Sequence, residues 1–122
     1  DMIYAATAIK AGYQVAYAAE ARVVHSHNYT NPQQFRRNFD IGVSQAEHPE
    51  VFQGVKSEAE GKKMLASVTK YLWTSKQWFR IPGFLVQSVC KYTGYLLGKN
   101  YQHLPQKLVV RCSMSPLYWN KY

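Results

Sequence analysis

The chain has 122 residues, 47% hydrophobic and 15% aromatic, which suits one small domain with its own core and argues against disorder. Fifteen lysines and arginines against seven acids give a net charge of +8, which directs attention to anionic partners. The sequence shows no leader pattern of basic, apolar and small-residue regions, and no apolar run near the roughly 20 residues that span a bilayer.

In chain order, "DMIYAATAIKAG" predicts a helix, with Asp1 as N-cap, alanines in the middle and Gly12 as the stop. A helix under way at the first residue predicts a piece of a longer protein; a recombinant boundary or a processing site would give the same start. "YQVAY" (Tyr13 to Tyr17) and "ARVVHSH" (Ala21 to His27) read as short strands at the edge of a sheet, since two strands alone are marginal. From Asn31 the pattern turns helical: Thr30 or Asn31 caps, Pro32 takes the first position, and Phe35, Phe39 and Val43 recur every four residues. Pro49 and Gly54 then break the pattern. Ser57 and Glu60 fit a capping box that opens a helix through Leu65 and Leu72 towards Trp78. "RIPGF" predicts an interruption, followed by a helix from about Phe84 to Leu97 that Gly98 ends. A loop, a short helix from about Pro105 and a tail with Pro116 complete the chain. The predicted class is mainly α with a short β element near the N-terminus.

Charge divides the chain in two. Residues 1–60 hold five basic residues and all seven acids, whereas residues 61–122 hold ten basic residues and no acid. The second half also carries eleven of the eighteen aromatics, including every tryptophan. Aromatic and basic residues alternating on helices fit a surface facing lipid head groups, or equally a packed core with a basic rim. Nucleic acid is not expected, because no reading motif accompanies the charge. Cys90 and Cys112 have neither metal-ligand spacing nor disulfide density, and read as free thiols in a reducing compartment.

Chemistry concentrates in "VVHSHNYTNPQQFRRNF". On a strand, His25 and His27 would share a face, which suits two ligands on one metal, one ligand and a phosphate donor, or a hydrogen-bonded structural pair. On the following helix, Gln33 and Arg36 share a face, as do Gln34 and Arg37. A guanidinium fork fits a diphosphate and an amide fits a sugar hydroxyl, although an Arg-Arg pair is also an ordinary solvated face. Asp1 is a cap or, with a tuned pKa, a general base.

The order of these pieces resembles the C-terminal part of a family 2 glycosyltransferase, closest to bacterial rhamnosyltransferase-like members that build surface polysaccharides. The residues that carry the likeness are "DMIYAATAIKAGYQVAYAAEARVVHSHNY", then "QQFRRNFDIG", and later "YTGYLLGKNYQHLP" and "SMSPLYW". The resemblance implies a C-terminal fragment of an α/β, GT-A-type enzyme that inverts the anomeric carbon. Residues 1–55 would form the edge of its catalytic domain and residues 56–122 a basic, aromatic helical extension. It implies Asp1 as the catalytic base and His27 or His25 near the metal or diphosphate. The stretch from Gln33 and Gln34 to Arg36 and Arg37 would lie over acceptor and diphosphate. The family pattern has Gln-x-x-Arg-Trp there, and this sequence departs from it, with Arg37 after Arg36 and Phe39 as the nearest aromatic.

The implied cofactor is a divalent metal, Mg or Mn, in the full-length enzyme and none in the fragment alone. The implied partners are a nucleotide-sugar donor, dTDP-rhamnose, a lipid-linked or polysaccharide acceptor, and an anionic membrane surface. The implied location is cytoplasmic, at the inner face of the cell membrane. With no Asp-x-Asp and no glycine-rich phosphate loop, the chain alone is expected to be inert. The rival expectation is a non-enzymatic basic helical module that binds nucleic acid, membrane or a protein.

Overall fold

A computed structural model describes residues 2–24, 27–52 and 57–119. They form helices α1 (Met2–Lys10), α2 (Asn31–Glu47), α3 (Pro49–Phe52), α4 (Ser57–Thr74), α5 (Ile81–Lys99), α6 (Gln106–Cys112) and α7 (Pro116–Trp119). Short 3-10 turns at Trp78–Arg80 and Tyr101–His103 precede α5 and α6.

The expected short β element near the N-terminus is corrected: no strand occurs among the described residues, and their regular elements are all helices. Tyr13 to Tyr17 and Ala21 to Val24 run as exposed, irregular chain. A strand needs a neighbour to take its N–H and C=O groups, and neither segment has one among the described residues. Their β-branched and aromatic content is propensity without a ladder to satisfy it.

Each helix end has a local cause. Gly12, at φ +89°, closes α1: its N–H reaches the Ile9 carbonyl, and that of Tyr13 reaches Ala8. This is the paired bonding of a Schellman stop. At α4 the same pair recurs, Lys76 N–H to Trp73 and Gln77 N–H to Leu72, but with lysine at φ +57° in the glycine position. Thr30 caps α2, and Pro32 sits in the first turn where its missing N–H costs nothing. The Gln33 Oε1 accepts from the Thr30 N–H at 2.9 Å and from its hydroxyl at 3.0 Å. For the same reason Pro82 does not delay α5, which starts at Ile81 instead of Phe84.

The central contact is between α2 and α5, which lie parallel: Gly94 meets Phe35, Gly98 meets Phe39, and Gly42 meets Tyr95 and Lys99. A Cβ on Gly94 or Gly98 would run into the Phe35 or Phe39 carbonyl oxygen, and one on Gly42 into that of Tyr95. Three glycines therefore let two backbones approach closer than side chains would permit. Gly98 is thus a packing residue inside α5, not its stop. This contact joins the N-terminal and C-terminal halves of the sequence.

On the flank of the α2–α5 pair, α6 and α7 complete the core. Phe39 and Val43 of α2 bury against Val109 and Trp119, with Tyr101, Leu104, Val110 and Cys112 packed around them. Polar bonds hold the same layers. The Met114 N–H donates to Asp40 Oδ2 at 2.9 Å, and the Tyr95 hydroxyl donates to Gln45 Oε1 at 2.8 Å. Glu47 accepts from the hydroxyls of Tyr101 at 3.2 Å and Tyr118 at 3.4 Å. Neither cysteine forms a disulfide.

Candidate functional site at the start of α2

The approach to α2 brings together His27, Tyr29 and Arg37. The imidazole of His27 stacks on the Tyr29 ring, with centroids 4.9 Å apart and planes within 10°. Arg37 lies two helical turns beyond Tyr29, so its guanidinium returns over that ring, 5.4 Å from the centroid, while Nη1 donates to the phenolic oxygen at 3.2 Å. One aromatic plate thus orients two nitrogen-rich side chains, and both are exposed. The first turn of α2 contains no acid, so the positive end of a 17-residue helix faces the same region. The assembly presents donors and positive potential to an anion.

The other expected site residues have separate places. Gln33 spends its amide oxygen on the Thr30 cap, which makes it a residue that fixes the entry into α2. Gln34 is half-buried, and its carbonyl accepts from the Asn38 side chain at 2.7 Å. Arg36 does not join Arg37: its charge acts on Cys112, together with that of Arg111. Burial still dominates there and holds the Cys112 thiol above its ordinary pKa. Asp1 and His25 lie outside the described residues. The segment before the histidines, Ala21 to Val24, is irregular chain and not a strand.

One residue of the site, Tyr29, has no role in the sequence reading, and its signal is the eight-residue spacing to Arg37. Thr30, one of the two caps expected from the sequence, is the cap, and Gln33 completes a Thr-x-x-Gln capping box. Among the described residues no group of three or more His, Cys, Asp or Glu side chains could hold a metal ion.

Comparison with known proteins places this chain beside enzymes that transfer sugars, and supports its reading as a segment of a glycosyltransferase. The chain is 43% identical over 123 aligned residues to the O-antigen chain rhamnosyltransferase WbaN of Salmonella anatum. Identity is the same to the O-antigen chain rhamnosyltransferase RfbN of Salmonella typhimurium strain LT2. Each match covers 98% of this chain and 38% of the relative, so the chain spans well under half of the relatives' length. No protein-family model matches the chain, and no solved structure does.

Proposed function

We propose that the chain works as part of a family 2 rhamnosyltransferase that extends a bacterial surface polysaccharide. The observation that carries this reading is 43% identity across 98% of the chain to two O-antigen chain rhamnosyltransferases. The donor would be a nucleotide sugar, dTDP-rhamnose, and the acceptor a lipid-linked or polysaccharide hydroxyl at the inner face of the cell membrane.

Displacement at the anomeric carbon with inversion leaves negative charge on the departing nucleoside diphosphate. Arg37 and His27, held by Tyr29, supply donors to that diphosphate in this reading. Gln33 keeps the start of α2 in register, while Gln34 and Arg36 line the acceptor side. Asp1 would take the proton of the attacking hydroxyl as it forms the new bond. Most of the relatives' length lies outside the match, so the chain by itself is expected to transfer no sugar.

A chimera tests this. The chain replaces the matching segment of WbaN, and rhamnose transfer to lipid-linked acceptor is measured. We expect transfer by the chimera, and about a hundredfold loss in kcat/KM on Arg37→Ala, from removal of one charged contact to the leaving group. A folded chimera without activity would sink the rhamnosyltransferase reading, and undiminished activity of the Ala variant would remove Arg37 from the site.

A further inference from the structure

The elbow between α4 and α5 has the exposed chemistry of an interfacial surface. Neither the described part of α4 nor the first three turns of α5 buries any residue. Trp73, Trp78 and Phe79 stand 71%, 63% and 63% exposed around the turn, and Val86 and Val89 of α5 are exposed as well. Patches of this kind mark interaction surfaces.

Cations are interleaved with them. Lys70, Lys76 and Arg80 are exposed, and the Arg80 guanidinium lies 5.7 Å from the Phe79 ring centroid. No acid occurs anywhere from residue 61 to residue 122. An open, mainly apolar trough between α4 and α5 is lined by Leu65, Trp73 and Leu85 together with Lys62 and Lys70. Lys76 occupies the left-handed position of the turn, where glycine would be less strained, so a charge is held at the tip against a conformational cost.

We infer that this elbow docks on an anionic phospholipid bilayer. Trp73, Trp78 and Phe79 enter the boundary between head groups and acyl chains, and Lys70, Lys76 and Arg80 contact the phosphates. Charge complementarity selects this occupant: an apolar protein partner would not call for unpaired cations between the aromatics, whereas an anionic interface attracts both. No helix among the described residues is long and apolar enough to cross a membrane, so the elbow lies in the plane of the interface. The inference deepens the membrane location proposed above, and its test reads no sugar transfer, so either can fail without the other.

The experiment uses the chain with vesicles of phosphatidylcholine alone or mixed with phosphatidylglycerol. Trp119 is buried in the core and serves as an internal reference. Co-sedimentation should occur with the anionic vesicles and fall with added salt. Trp73 and Trp78, observed in Trp119→Phe, should shift to the blue and be quenched by brominated acyl chains. Trp119, observed in the Trp73→Phe/Trp78→Phe variant, should not. Lys70→Gln/Lys76→Gln/Arg80→Gln should weaken binding about a hundredfold, from three lost head-group attractions. Equal binding to neutral vesicles would overturn the inference. So would binding without quenching of the elbow tryptophans, or a blue shift that arises from self-association without lipid.

Discussion

Asp40 shows how one carboxylate ties distant parts of the chain. It sits on the core side of α2 and receives the Met114 N–H and the Ser113 side chain from the loop between α6 and α7. Burial raises its pKa above the ordinary 3.8, and the two hydrogen bonds only partly oppose this. Between its unfolded and folded pKa values the folded chain holds the proton more tightly. Stability therefore falls as pH rises through that window, and the cost persists above it. Asp40→Asn keeps an acceptor for Met114 and cannot ionise. In urea titrations from about pH 3 to about pH 7, the wild type should lose stability relative to this variant as pH rises. A difference that stays constant with pH would refute the buried ionisation. Asp40→Ala removes the acceptor of the Met114 N–H and of the almost fully buried Ser113 hydroxyl, which still accepts from the Ser115 N–H, at a cost of about 1–3 kcal/mol.

Among the elements, the α2–α5 crossing depends on the absence of side chains. Gly98→Ala would press a methyl group into the Phe39 carbonyl, and backbone on both sides cannot yield as a flexible side chain would. We expect at least about 3 kcal/mol of destabilisation, at the upper end of overpacking costs. Gly61 is the control: it lies in α4 with nothing within 4 Å of an added Cβ. Gly61→Ala should stabilise the chain by about 0.5–1 kcal/mol through helix propensity and a less flexible unfolded state. Urea unfolding of both variants checks the pair, and a neutral Gly98→Ala would mean that the helices do not cross so closely. The same glycines explain what the sequence concealed. Gly12 and Gly98 look alike as candidate stops, but Gly12 lies in open space at positive φ whereas Gly98 faces another helix. No local pattern separates those cases.

Across the whole molecule, the core is assembled from both ends of the chain, with Phe39 and Val43 meeting Val109 and Trp119. Burial of Phe39 alone contributes about 1.5–3 kcal/mol. Deleting residues 100–122 would expose it together with Val43, and should abolish cooperative thermal unfolding, read by near-ultraviolet circular dichroism. A sharp transition in the truncated chain would show that α2 and α5 hold together without α6 and α7.

The sequence by itself determined whatever depends on near neighbours. The four-residue recurrence of Phe35, Phe39 and Val43 predicts α2, Gly12 predicts the end of α1, and the cationic, aromatic second half is legible from composition. Tertiary structure decided what depends on partners far along the chain. Tyr13 to Tyr17 and Ala21 to Val24 have strand composition but no neighbouring strand among the described residues, and they are irregular. Arg36 and Arg37, adjacent in sequence, serve different surroundings because successive helical residues point about 100° apart and meet different neighbours. Helix propensity and capping act within a few residues, whereas a backbone crossing, a buried carboxylate and an exposed tryptophan are defined only by what the folded chain brings beside them.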